Sequence, residues 1–498
     1  MSQLSASTLD TLPATVGVPA YDRAAISCGI VHFGPGAFHR AHQAAFTEDV
    51  LSLDPAWGIC GVSLRSTGVR DALRDQDNLY TLALLGESTS YRIIGSIHEM
   101  LVAPEDPEAI IERLTRPSTH VVSSTITEKG YCLTPEGDLN TARDEIVHDF
   151  SNPQQPVSAP GYLCEALRRR REKGVAPFVP LSCDNMADNG KRVRNALLQF
   201  AGHTNPELAK WIADEVSFPC TMVDSITPAT DDALRDRVAS DLGLRDAWPI
   251  QREPFTQWVI EDSFNMPRPP WEDVGVTMTN DVRAFEEAKL RLLNGAHSSL
   301  AYLGSLTGYE TVAEAMQDSR LVAYLRAMMA EEICTSLTAP AGLDLAEYSE
   351  SILQRFENSN IRYLLGQIVL DGSQKIPFRL LMTVADNLKA GRPTRRLLLA
   401  VAAWMKFVRR VAADNSEHVD PLKTELFAIA AQCNGDALND VGRFLTLRQM
   451  FTEDLTTLPG FTNALVAAYT AIGNAEAADI YAAIDSNSQR DRNNDNRS

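Results

Sequence analysis

The sequence predicts an α/β chain in two parts: an N-terminal part built on a helix-covered parallel sheet, and a mostly α-helical C-terminal part. Short apolar runs alternate with helical stretches as far as about residue 285. A glycine turn joins the first apolar run to the first helical one. Beyond residue 285 helical periods take over and strand-like runs become scarce. A chain of 498 residues also exceeds one small core. The expected division is 1–285, 286–486 and a disordered polar tail, "NSQRDRNNDNRS", over 487–498.

"SCGIVHF" is the first strand. It meets Gly34 and Gly36, and "AFHRAHQAAFTEDVL" then carries helical spacing through Phe38, Ala41, Ala45 and Val50. "WGICGVSL", "HVVSSTIT", "FVPLSC" and "FPCTMVD" read as further strands, with helices in "GYLCEALRRRREKG" and "GKRVRNALLQFAGH" between them. In the second part "RLVAYLRAMMAEEICTSL", "LAEYSESILQRFENSN", "RRLLLAVAAWMKFVRRVAA" and "DALNDVGRFLTLRQMF" are helical.

The turn "GPGAFHRAH" has the placement of a Rossmann-like dinucleotide site. Gly34 would allow the tight turn and Gly36 the approach of a pyrophosphate to a helix N-terminus. His39 stands where the third glycine of that fingerprint belongs, so an ordinary structural turn is the competing reading. His39 and His42 have no carboxylate or cysteine cluster to make a metal site with, which leaves packing or cofactor contact, a role also open to Phe38. Where NAD usage would place a carboxylate, "GVSLRSTGVRD" offers Arg65, Ser66 and Arg70, so NADP stays open.

The stretch "EEAKLRLLNGAHSSLAYLG" is a buried-helix pattern that carries Lys289, Asn294 and His297 among leucines. At roughly 100° per residue Asn294 lies about 140° and His297 about 80° around from Lys289, so all three can face one cleft. The plain alternative is a snorkelling lysine, a capping asparagine and a core histidine. Oxidation of an alcohol needs a base for the hydroxyl proton and donors for the developing alkoxide; a buried lysine supplies the first and an asparagine the second.

The balance of 46 Lys plus Arg against 65 Asp plus Glu, a net charge of −19, disfavours nucleic acid as partner. No apolar run is long enough for a bilayer and no signal-peptide pattern opens the chain, so a cytoplasmic protein is expected. The eight cysteines are scattered singly and read as reduced, buried side chains.

The motifs "IVHFGPGAFHRAHQ", "TITEKGYC", "SCDNMADNG", "FPCTMVDSITP", "KLRLLNGAH" and "LDGSQKIP", in this order, resemble the long-chain, zinc-independent mannitol dehydrogenase family over nearly the whole chain. The resemblance implies an NAD-dependent oxidoreductase with no metal and a small polyol or sugar-acid substrate. It also implies that Lys289 is the general base, that Asn294 and Asn185 hold the reacting oxygen, and that His297 orients the substrate. Asp224 and Lys375 would line the polyol pocket, and Glu286 and Glu128 would stand near the proton route and the cofactor.

Gln367 occupies the position, eight residues before Lys375, where the mannitol-oxidising branch carries an arginine. "GQIVLDGSQKIP" and "NGAHSSLAYLGSLTGYET" resemble the mannonate oxidoreductase branch more. A hexonate needs a cation for its carboxylate, and Arg362 and Arg379 are the candidates. D-mannonate therefore ranks above D-mannitol. A nicotinamide-sensing protein without turnover is the reading from another class.

Overall fold

The computed structural model describes residues 1–414 and 416–495, the side chains of 488–495 excepted. It divides into two units, Met1–Arg283 and Ala284–Ser498.

The first unit is organised by five parallel strands, β1 (Ile30–Phe33), β2 (Ile59–Ser63), β3 (Ile97–Val102), β4 (Val121–Ser124) and β5 (Val179–Ser182). Their spatial order is β3-β2-β1-β4-β5. That is a doubly wound order, with the chain reversing direction across the sheet at β1 and β4. The apolar run of β1 is buried on both faces. Val31 and Phe33 join one core with Ile110, Leu167 and Leu197, and Ile30 joins the other with Val50, Trp57 and Trp258. Helix cover on both sides is what makes such a strand continuously apolar rather than alternating. The helical stretches read between strands form Ala159–Glu172 and Asn189–Thr204.

Two features depart from the sequence reading. "FPCTMVD" does form a strand, Thr221–Asp224, but outside the parallel sheet: it pairs antiparallel with Gln257–Glu261 in a separate three-stranded sheet. Residues Tyr80–Leu85 and Thr89–Ile94 form a hairpin that no motif announced. A four-residue buried strand has no periodicity to reveal the direction of its neighbour.

The second unit is helical among its described residues apart from turns and one isolated bridge. Helix Arg395–Ala413 matches the predicted run end to end and packs on helix Gly295–Thr307; the interior of both is buried. Three single π-turns interrupt the α-helices, at Lys289–Asn294, Met328–Ile333 and Pro377–Leu381, and the first packs against each of the others. The last helix, Ala477–Asp495, enters the stretch expected as a polar tail, whose final residues 496–498 lie outside the described residues.

Candidate active site

In the first unit the glycine turn sits at the carboxyl end of β1. Gly34 has φ +85°, and a Cβ there would lie 2.4 Å from the Thr125 carbonyl oxygen, so both conformation and space demand glycine. Gly36 differs: a Cβ on it would meet only the Gly34 oxygen at 3.9 Å, so the space it leaves is not taken up by protein. A cavity of about 390 Å³ opens here, lined by Gly34, Ser63, Arg65, Thr125, Ile126 and Ser158 among others. Apart from Ser158, the N-cap of helix Ala159–Glu172, these residues follow or end β1, β2 and β4, the place where doubly wound sheets bind dinucleotides. The glycines and the cavity fit such a group. Arg65 is exposed just after β2.

His39 is 1% exposed and stacked on His32, ring centroids 3.3 Å apart. Burial holds both imidazoles far below their usual range, His32 at about 3, so this is a neutral packed pair. Phe38 is half-buried and stacks on His42. Among the described residues no group of three or more His, Cys, Asp or Glu could hold a metal ion.

Asn185 is exposed on the loop after β5, Glu128 is exposed on the one-turn helix Thr127–Gly130, and Asp224, at the end of its strand, is buried. The residue that organises the first two was not singled out in the sequence. Asp184, 9% exposed, accepts from the backbone N–H of Ile126 at 3.1 Å and of Thr127 at 2.8 Å, and from the Tyr131 hydroxyl at 2.7 Å. Tyr131 also lies within hydrogen-bond distance of Ser124 and Ser182, at the ends of β4 and β5. Thr127 has φ +65°, a costly conformation for a β-branched residue, and its N–H is one that Asp184 holds. The two ends of this clamp lie inside the quoted motifs "TITEKGYC" and "SCDNMADNG".

In the second unit Lys289 is 9% and His297 7% exposed, and Asn294 is half-buried. The angular reading needs correction. Lys289–Asn294 is a π-turn, closed by i→i+5 bonds. One residue is thereby taken out of the α-helical phase, so Lys289 and His297 lie within about 20° of each other rather than about 80°. Asn294 keeps helical dihedrals and makes no side-chain capping bond, so it is not a cap.

The His297 ring stacks on Phe356 at 4.2 Å and meets Tyr363 edge-on at 5.1 Å, two aromatic walls absent from the sequence reading. A Cβ on Gly295 would stand 3.0 Å from the Arg379 carbonyl oxygen, so this glycine lets the third π-turn approach the first. The half-buried Arg379 guanidinium donates to Ser298 Oγ at 3.0 Å, and burial pulls its pKa down. No carboxylate lies within ion-pair distance of it among the described residues. Lys375 Nζ donates to the carbonyls of Leu370 at 2.6 Å and Ile368 at 3.4 Å, its pKa lowered by burial and then by Arg379. Arg362 instead points outward and pairs with Glu310 at 2.6 Å, both exposed. Gln367 is exposed and Glu286 half-buried.

A doubly wound unit with a glycine turn and open cavity, followed by a helical unit carrying a buried lysine and histidine in phase on one helix, defines a Rossmann-fold oxidoreductase. The chain belongs to the mannitol dehydrogenase family: residues 28–273 match the mannitol dehydrogenase Rossmann domain and residues 281–473 the mannitol dehydrogenase C-terminal domain. It is similar to an uncharacterized oxidoreductase of Escherichia coli K12, 45% identical over 93% of this chain and 96% of the relative. It is likewise similar to the D-mannonate oxidoreductase of the same organism, 43% identical over 94% and 98%. Among solved structures it resembles Pseudomonas fluorescens mannitol 2-dehydrogenase in ternary complex with NAD and D-mannitol, at 39% identity and TM-score 0.81, covering 96% of this chain and 98% of that one. No described helix is long and apolar enough to cross a membrane.

Proposed function

We propose that this enzyme interconverts a secondary alcohol and a ketone of a sugar acid, D-mannonate and D-fructuronate, using NAD and no metal. The observation that carries the substrate class is Arg379: a half-buried guanidinium held by one neutral hydroxyl, with no protein carboxylate beside it. A cation left in that condition is poised for an anion. Arg362 is already committed to Glu310 at the surface, which leaves Arg379 as the carboxylate partner. The likeness to a D-mannonate oxidoreductase supports the same class.

Gly34 and Gly36 would hold the dinucleotide, which would supply the hydride acceptor for the carbinol carbon. Lys289 removes the hydroxyl proton, and Asn294 and Asn185 donate hydrogen bonds to the oxygen as its charge develops. His297, fixed between Phe356 and Tyr363, orients the sugar chain. Asp224 and Lys375 bind hydroxyls farther along it. Glu286 and Glu128 serve proton release and the cofactor.

The test is a side-by-side assay of D-mannonate, D-mannitol, D-arabinitol and D-sorbitol with wild type, Arg379→Ala and Arg362→Ala. D-mannonate is expected to be the best substrate. Loss of a buried partner costs about 3 kcal/mol, on the order of a 150-fold fall in kcat/KM, for mannonate with Arg379→Ala alone. D-mannitol far ahead, with Arg379→Ala indifferent, would overturn the sugar-acid reading in favour of a mannitol 2-dehydrogenase.

A further inference from the structure

The second unit holds a cavity of about 570 Å³ lined by none of the residues assigned to the reaction. One wall is the end of helix Arg395–Ala413, which presents Lys406, Arg409 and Arg410. The opposite wall is Phe427, Ala430 and Ala431 of helix Lys423–Gln432, and the turn 474–476 closes it. Positions 406, 409 and 410 are one helical face. Three cations side by side on one partly buried face repel one another and are costly to desolvate, unless something negative meets them.

The protein itself meets them only in part. Arg409 is neutralised by Asp440 at 2.7 Å, which also accepts from Tyr469. Lys406, 8% exposed, donates to the Gly473 carbonyl at 2.6 Å, with its ammonium 3.9 Å from the centre of the Tyr469 ring. Arg410 donates to the carbonyls of Leu306 and Ala475. These bonds satisfy carbonyls at or just past helix C-termini, but that needs no cavity. Neither Lys406 nor Arg410 has a carboxylate within ion-pair distance among the described residues, and each keeps donors to spare. Glu476 is the only carboxylate among the lining residues, and Asp479 is turned to the Asn474 N–H at 2.9 Å. Burial, and then Arg409, pull the Lys406 ammonium down to about 8, a strain that an added anion would relieve.

We propose that this cavity binds a small organic oxyanion, its phosphate or carboxylate seated on Lys406, Arg409 and Arg410 and its less polar part along Phe427, Ala430 and Ala431. The volume is that of an ordinary metabolite site, and the site rests on none of the residues of the proposed reaction.

Isothermal titration calorimetry tests it, with NADH present to fill the cavity at the glycine turn. The probes are glucose 6-phosphate, citrate and, as the uncharged control, glucose. Saturable binding of glucose 6-phosphate or citrate at millimolar concentration or below is expected, with none for glucose; which of the two binds identifies the head group. Arg410→Gln should weaken it at least about tenfold. Ala431→Trp, exposed and outside the cation set, should abolish it by filling the cavity while leaving the fold intact. Absence of saturable binding by both anions would overturn the proposal. So would binding that both variants leave unchanged, because the anion would then sit elsewhere, on Arg379 for example.

Discussion

Asp184 is the buried group whose removal the structure makes most measurable. In Asp184→Ala three hydrogen bonds disappear together, from Ile126 N–H, Thr127 N–H and the Tyr131 hydroxyl. Bonds to a charged acceptor contribute about 1.5–3 kcal/mol each. Because Thr127 is exposed and its N–H can turn to water, the three together amount to about 3 kcal/mol. That energy holds Thr127 at positive φ, so its loss should fall on local opening of the loop rather than on the whole sheet. Hydrogen exchange read by mass spectrometry on peptides spanning 125–131 should accelerate on the order of 100-fold, with β1 and β5 little changed. A folded variant whose 125–131 peptides exchange within about threefold of wild type would refute the clamp. Asp184→Asn adds a pH signature. Burial, the largest influence, raises the Asp184 carboxyl above its ordinary value, against opposing hydrogen bonds. The folded state therefore holds this proton more tightly than the unfolded chain. The stability contributed is fully present below the unfolded pKa of about 3.9 and declines as pH rises through the folded value. The melting advantage of wild type over Asp184→Asn should accordingly shrink as pH rises through that window.

Three further outcomes are expected. Lys289→Ala should keep its circular dichroism spectrum and nucleotide binding while single-turnover rates fall at least about a hundredfold, and near-normal turnover would remove Lys289 from the mechanism. Dialysis against EDTA should leave activity unchanged, with metal-restorable loss counting against the asparagine-based account of oxyanion binding. The ratio of kcat/KM for NAD over NADP should favour NAD; a tenfold preference for NADP, about 1.4 kcal/mol, would mean that Arg65 accepts the 2′-phosphate.

The legible parts of this chain were those where one physical cause acts alone. The run Arg395–Ala413 is a helix because its apolar spacing leaves no alternative, and Gly34 is a turn because its positive φ and the Thr125 carbonyl oxygen beside it leave no room for a Cβ. Strand direction was not legible at Thr221–Asp224, since partner choice is decided by contacts remote in sequence. The asymmetry between Arg362 and Arg379 was equally hidden, because it depends on Glu310 and Ser298, some 52 and 81 residues away. Asp184 escaped notice because its job is to hold backbone, and a carboxylate that accepts from N–H groups has no spacing rule.

The π-turn at Lys289–Asn294 makes chain length itself a functional quantity. Removing one residue there, Leu290 for instance, would let the backbone close ordinary α-helical bonds from 282 to 307, a locally better helix than the native one. His297 would then stand seven α-helical residues beyond Lys289, within about 20° of two full turns, so the two would stay in line while the residues inside the turn move. The expected product is a protein that melts no lower than wild type with Lys289 and His297 still aligned, whereas deleting a residue between Asn294 and His297, Ala296 for instance, turns His297 by about 100° and should abolish turnover; turnover retained there would show that the alignment is incidental. In this helix a single-residue insertion or deletion beyond the π-turn is the drastic change, and one that only removes the turn's extra residue the mild one.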